Sequence, residues 1–155
     1  MVIQTTYHMS DKPLPLGTIL NPGIWGEKIH KHVIKLDYPQ FIKEEIFEDV
    51  RRKLFMHAPS RYDCVYLFPD IISARFYRAS WKRYKAFIYE TNIIDGSQYI
   101  VDMSFLNCNG GHYADIKKQA EKYWSKLHHP DSCTLEILLN GKAEIMNLVA
   151  EPSVL

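Results

Sequence analysis

Residues 63–77, Asp63-Cys64-Val65-Tyr66-Leu67-Phe68-Pro69-Asp70-Ile71-Ile72-Ser73-Ala74-Arg75-Phe76-Tyr77, carry the transition that decides the fold. The run from Asp63 to Phe68 is short, apolar and aromatic, and it stops at Pro69, so it reads as a buried strand. Pro69 removes a ladder donor, and the Asp70 carboxylate is suited to accept from the first free N–H groups of a helix. The strand therefore breaks into a helix running from Ile71 to Trp81.

Upstream, Thr5 to Met9 reads as a first strand and Lys12-Pro13-Leu14-Pro15-Leu16-Gly17 as a turn-rich stretch. Thr18-Ile19-Leu20 is a second extended piece, closed by Asn21-Pro22-Gly23. From Pro39, the residues Ile42, Ile46, Phe47, Val50 and Leu54 recur at helical spacing, which predicts a helix over 39–57. Its charges Glu44, Glu45, Glu48 and Asp49, then Arg51, Arg52 and Lys53, suit the macrodipole and read as a solvated face. Downstream, Lys85 to Thr91 and Gln98 to Phe105 read as strands flanking the turn signal Asp95-Gly96. Ile116, Ala120, Tyr123, Trp124 and Leu127 form one helical stripe. The end reads as a hairpin, Thr134 to Leu139 and Ala143 to Val149 joined by Asn140-Gly141. Strands and helices that do not alternate strictly predict the α+β class, with a split mixed or antiparallel sheet core and flanking helices. The 155 residues predict a single domain over 1–155.

Composition bounds the function. With 46% hydrophobic and 24% charged residues, disorder is excluded as the main state. Nineteen Lys and Arg against eighteen Asp and Glu leave a net charge of +1, so no whole-chain field points to nucleic acid or membrane. Cys64, Cys108 and Cys133 form no CxxC pair, which disfavours a disulfide scaffold and a zinc knuckle. No basic leader and no apolar run of membrane length is evident, so a cytoplasmic protein without a membrane partner is expected.

Four residue types then fall in a suggestive order. Tyr7-His8 sits on the first strand, Tyr66 on the middle strand, Tyr77 eleven residues later on the following helix, and Glu136 in the apolar strand Leu135 to Leu139. A carboxylate in such a strand must face solvent, find a partner or serve a site. This order resembles the His-Tyr-Tyr-Glu branch of the ADP-ribosyltransferase superfamily, to which diphtheria-like toxins and poly(ADP-ribose) polymerases belong. The resemblance spans Tyr7 to Val149 through three short motifs. It implies a split sheet clasping NAD as co-substrate, with no metal. On that resemblance His8 holds the adenosine ribose, the backbone at Met9 lies beside the nicotinamide amide, and Tyr66 and Tyr77 wall the nicotinamide ring. Ring contacts of this kind contribute on the order of 1 kcal/mol each. Glu136 is implied to hold the ribose 2′-hydroxyl and to stabilise the charge that develops at the anomeric carbon, so that Glu136, Tyr66 and His8 form the catalytic set. Met9 stands where many relatives have Gly, and Thr134 stands where arginine-modifying branches carry Glu or Gln, which disfavours arginine as the acceptor.

The expected activity is mono-ADP-ribosyl transfer to a macromolecular acceptor, nucleic acid or protein, as in a small toxin that a partner protein neutralises. The alternative is a non-catalytic module of the same fold that binds nucleic acid or protein. Arg75, Arg78, Lys82, Arg83 and Lys85 interleave with Phe76, Tyr77, Trp81 and Tyr84, a mixture that suits phosphate contact and base stacking, by a nucleic-acid acceptor or the NAD pyrophosphate, as well as an ordinary solvated turn. Lys117, Lys118, Lys122 and Lys126 read as a solvent-facing helix surface. His30, His32, His112, His128, His129, Asp131 and Cys133 reproduce no metal-ligand spacing. No Walker loop, GxGxxG fingerprint or GxSxG elbow occurs.

Overall fold

The computed structural model describes residues 5–31, 38–128 and 132–152. His32, His129 and Asp131 lie outside them. In chain order the elements are β1 (Thr5–Ser10), β2 (Ile19–Leu20), α1 (Ile24–Lys31), α2 (Tyr38–Leu54), β3 (Val65–Leu67), α3 (Ile71–Ser80), β4 (Phe87–Ile93), β5 (Ser97–Asp102), α4 (Tyr113–Trp124), β6 (Leu135–Asn140) and β7 (Ala143–Ala150). Short 3-10 turns occupy Arg61–Asp63 and Met103–Leu106. The architecture is α+β, and every strand pair is antiparallel. One sheet has the order β1-β4-β7-β2 and the other β3-β6-β5.

The Pro69-Asp70 break works as its chemistry requires: the Asp70 Oδ1 accepts from the Ser73 N–H at 2.7 Å and caps α3. The helix ends at Ser80, where Trp81 turns out of it and Lys82 takes a left-handed φ of 53°. β1 meets β3 through a single bridge, Tyr7 opposite Phe68, with N–H···O bonds of 3.0 and 2.7 Å. There the two sheets join edge to edge and then diverge.

The expected hairpin is replaced by something else. β6 pairs with β3 and β5, whereas β7 pairs with β4 and β2, so Asn140-Gly141 carries the chain from one sheet into the other. Asp95-Gly96 does the same for β4 and β5. Because Ile93 pairs with Ala143 and Ser97 with Asn140, the four strands form one antiparallel ribbon bent at a shared corner. A Cβ at Gly96, whose φ is +93°, would meet the Asn140 carbonyl oxygen at 2.1 Å, and one at Gly141 would meet the Asp95 oxygen at 2.2 Å. The dipeptides that close hairpins elsewhere are used here because two backbones cross at a distance only glycine permits.

The core lies on both faces of β6. Ile137 and Leu139 face Val65, Leu67, Tyr89 and Ile145 where the two sheets pack on each other. Leu138 faces Phe47, Tyr99, Tyr123 and Trp124 under the helices, where the Trp124 indole N–H donates to the Phe47 carbonyl at 2.8 Å and ties α4 to α2. The α2 stripe departs from its periodicity: Ile42 and Leu54 are 51% and 58% exposed, while Glu44 and Glu48 are 2% and 6% exposed. Those two carboxylates do not form a solvated face: Glu44 is turned onto the buried Arg61, and Glu48 onto Arg51 of its own helix and the Ser60 hydroxyl. Leu127 leaves the α4 stripe and is exposed, since the helix ends at Trp124. Phe105 leaves its expected strand because the Asp102 carboxylate caps a 3-10 turn at the Ser104 N–H.

Candidate active site at the split between the sheets

Side chains from both sheets and two helices gather where β1 and β3 part. One residue beyond the bridge, the His8 imidazole lies with Nδ1 3.0 Å from the Tyr66 carbonyl oxygen. With the proton on Nδ1 the ring donates that bond and leaves Nε2 as an acceptor. Burial holds His8 below the usual histidine range; the Tyr66 carbonyl opposes the shift, and Arg83 adds to it. The imidazole is thus a neutral acceptor of hydroxyl protons. Strand alternation sends Met9 to the opposite face of β1, where it is buried in the core under the helices.

Tyr66 donates its hydroxyl to the Arg61 carbonyl at 2.5 Å and lays its ring over the Arg61 guanidinium, 5.1 Å from Cζ to centroid. Arg61, on the 3-10 turn before β3, is the hub. Its Nε and Nη2 grip the Glu44 carboxylate at 2.9 and 3.1 Å, while Nη1 donates to Glu136 Oε1 at 2.8 Å and to the Tyr123 hydroxyl at 2.6 Å. The Tyr123 hydroxyl in turn donates to the same Glu136 oxygen at 2.8 Å. The carboxylate in the apolar strand has found a partner through Oε1. Its Oε2 accepts no hydrogen bond among the described residues. Burial raises Glu136 above the ordinary glutamate range, and Arg61 and Tyr123 restrain the rise.

Tyr77 stands on the neighbouring wall. Its ring packs against Phe68 at 5.3 Å and Trp81 at 5.8 Å, with the Arg83 guanidinium 6.0 Å from its centroid. Arg83, bonded to Asp11 at 2.7 Å, sits beside Tyr77, and its charge also bears on His8. Tyr77 also lines a cavity of about 260 Å³ together with Phe76, Ser80, Trp81, Met103 and Thr134. Thr134 is fixed there, because its hydroxyl donates to Asp102 Oδ1 at 2.5 Å while Ser132 bonds Oδ2 at 2.9 Å. Burial alone would raise Asp102, but these hydroxyls and the Ser104 N–H hold it below the ordinary aspartate range.

Arg61 joins Tyr66 to Glu136, whereas His8, Tyr66 and Glu136 do not border the cavity that Tyr77 lines. Tyr77 lines the cavity; His8 is joined to the others through the Tyr66 backbone. Sequence reasoning did not single out Arg61, Glu44 or Tyr123. The signal was present in part, since a buried carboxylate calls for a cation, but sequence spacing does not say which cation supplies it.

The family described as protein of unknown function DUF2441 matches residues 24–151. The chain belongs to this family. The matched span holds Glu44, Arg61, Tyr66, Tyr77, Tyr123 and Glu136, whereas His8 and Met9 precede it. No curated protein matches the sequence. In this DUF2441 chain, burial pushes the Cys64 thiol up to about 12, which removes it as a nucleophile at neutral pH. Among the described residues no three His, Cys, Asp or Glu side chains are grouped to hold a metal ion, and no helix is long and apolar enough to cross a membrane.

Proposed function

We propose that this protein is an ADP-ribosyltransferase that takes NAD as substrate and transfers ADP-ribose to a macromolecule, on a fold of the ADP-ribosyltransferase type. The observation that carries the reading is the state of Glu136: one carboxylate oxygen anchored by Arg61 and Tyr123, the other uncommitted, beside the split between two antiparallel sheets. Such a group accepts the ribose 2′-hydroxyl through Oε2 while Oε1 stays fixed. Its negative charge then opposes the positive charge that grows at the ribose anomeric carbon as the glycosidic bond breaks. The electron pair of that bond leaves with nicotinamide, which becomes neutral. A nucleophile of the acceptor bonds to the anomeric carbon and gives its proton to solvent.

The remaining residues divide the binding. The cavity bordered by Tyr77, about 260 Å³, falls just below the usual ligand-pocket volumes of about 300–1,000 Å³, so it would take one end of a dinucleotide and leave the rest outside it. The Tyr77 ring offers a face to the nicotinamide, whose cationic ring is attracted by aromatic π density. Neutral His8 offers Nε2 to an adenosine ribose hydroxyl. Met9, with its side chain turned into the core, leaves only its backbone to meet the substrate.

The test is nicotinamide release from NAD, with and without cell extract, by wild type and by Glu136→Gln. The glutamine variant keeps the shape and is expected to lose roughly 10²–10³ in turnover. Equal release by both proteins would remove Glu136 from the chemistry. No release by wild type under either condition, together with retention of extract components, would leave a binding module of the same fold.

A further inference from the structure

The surface beside the cavity differs from the rest of the molecule in charge. From Ile71 to Phe87 the chain contains no acidic residue and five cations. Two of these are used internally: Arg78 donates to the Ala86 and Glu151 carbonyls at 3.3 and 2.9 Å, and Arg83 pairs with Asp11. The other three, Arg75, Lys82 and Lys85, are exposed and make no ion pair among the described residues. Between them stand two rings that folding has left in water, Phe76 at 46% and Trp81 at 50% exposed. The same two rings line the cavity. Lys82 follows Trp81 just past the end of α3 in a left-handed backbone conformation.

We propose that this face of α3 and the turn to residue 85 docks single-stranded nucleic acid, with bases stacked on Phe76 and Trp81 and phosphates on Arg75, Lys82 and Lys85. The proposal rests on the reading above only for the fate of the docked strand, which would be the acceptor; the docking itself does not require NAD. An acidic protein surface would satisfy the cations but would have little use for two flat, exposed rings, whereas every base presents a π face to them. The net charge of +1 gives no general attraction to polyanions, so binding depends on a local patch such as this one. The cavity lining adds the Ser80 hydroxyl and carries no carboxylate of its own, so a base or ribose entering it meets a polar group without repelling the phosphates outside.

Fluorescence anisotropy of short labelled DNA and RNA single strands, titrated with the full chain in the absence of NAD, tests the docking. Three phosphate contacts predict a log–log salt slope of about −2, from about −0.7 per phosphate on single strands. Trp81→Ala and Phe76→Ala should each weaken binding roughly tenfold with the slope unchanged, since they remove stacking. Arg75→Gln with Lys82→Gln should flatten the slope by about 1.4. Comparison of the DNA and RNA arms identifies which strand is preferred. No binding at low salt, or binding that all of these variants retain, overturns the proposal. Retention of an acidic protein with no oligonucleotide affinity overturns it in favour of a protein acceptor. If strands bind but label from NAD passes to no acceptor, the docking stands and the transferase reading fails; if label passes to protein and no strand binds, the reverse holds.

Discussion

The two faces of β6 solve the problem of burial in opposite ways. Ile137 and Leu139 on one face meet only apolar side chains, where the sheets pack on each other. On the other face Leu138 keeps to the helical core, but Glu136, two residues away, enters a network of Arg61, Glu44 and Tyr123. The apolar face draws its stability from area removed from water, about 25 cal/mol per Å². The charged face gains little from burial and is held by mutual dependence, because each charge is tolerable only while its partners remain. One strand therefore carries packing on one side and the candidate chemistry on the other.

The largest effect should come from breaking that dependence. Arg61→Met leaves Glu44 and Glu136 buried without their shared cation and should cost about 3–5 kcal/mol in urea unfolding. Adding Glu44→Gln and Glu136→Gln should recover a large part of it. Leu139→Ala on the opposite face should cost about 2–5 kcal/mol, and no charge change should rescue it. If the triple variant is no more stable than Arg61→Met, the two faces are not held by different forces.

The corner where the sheets exchange strands comes next. Gly96→Ala should lose about 1–3 kcal/mol from its backbone conformation alone, with more from the clash at the Asn140 oxygen, measured as a fall in urea midpoint. Tyr123→Phe is milder, about 1 kcal/mol. It removes one of the two bonds restraining Glu136, so the Glu136 carboxyl should titrate at higher pH when followed by carbon NMR. An unmoved titration would mean that Arg61 alone sets it.

The smallest effect concerns His8. Its folded pKa lies below the ordinary histidine value of 6.5, so the unfolded chain takes up a proton first as the medium is acidified. The contribution is intact above that value and is lost as pH falls through the lower folded one. His8→Gln keeps a donor for the Tyr66 carbonyl and should flatten the thermal midpoint over that window. A wild-type midpoint equally flat would show that His8 is not buried as described.

Much of this was legible before folding. The Pro69-Asp70 break, the α4 stripe from Ile116 to Trp124 and the α+β class follow from local chemistry: a missing donor, a capping carboxylate, a 3.6-residue period. The burial of Glu136 against a partner was also readable, as a carboxylate out of keeping with its apolar strand. The partner of Glu136 was not readable. Arg61 and Tyr123 are separated from it by 75 and 13 residues, and only the pairing of β3 with β6 and the packing of α4 bring them together.

The sequence by itself determined where elements begin and end, because those choices depend on neighbours a few residues apart. Tertiary structure alone decided that Asn140-Gly141 bends a ribbon between two sheets rather than closing a hairpin. It also decided that Glu44 is buried while Ile42 and Leu54 meet solvent. In each case the residue's local preference was compatible with both outcomes. The free energy separating them lies in long-range contacts: a glycine against a distant carbonyl, and a carboxylate against an arginine that the chain delivers from another element.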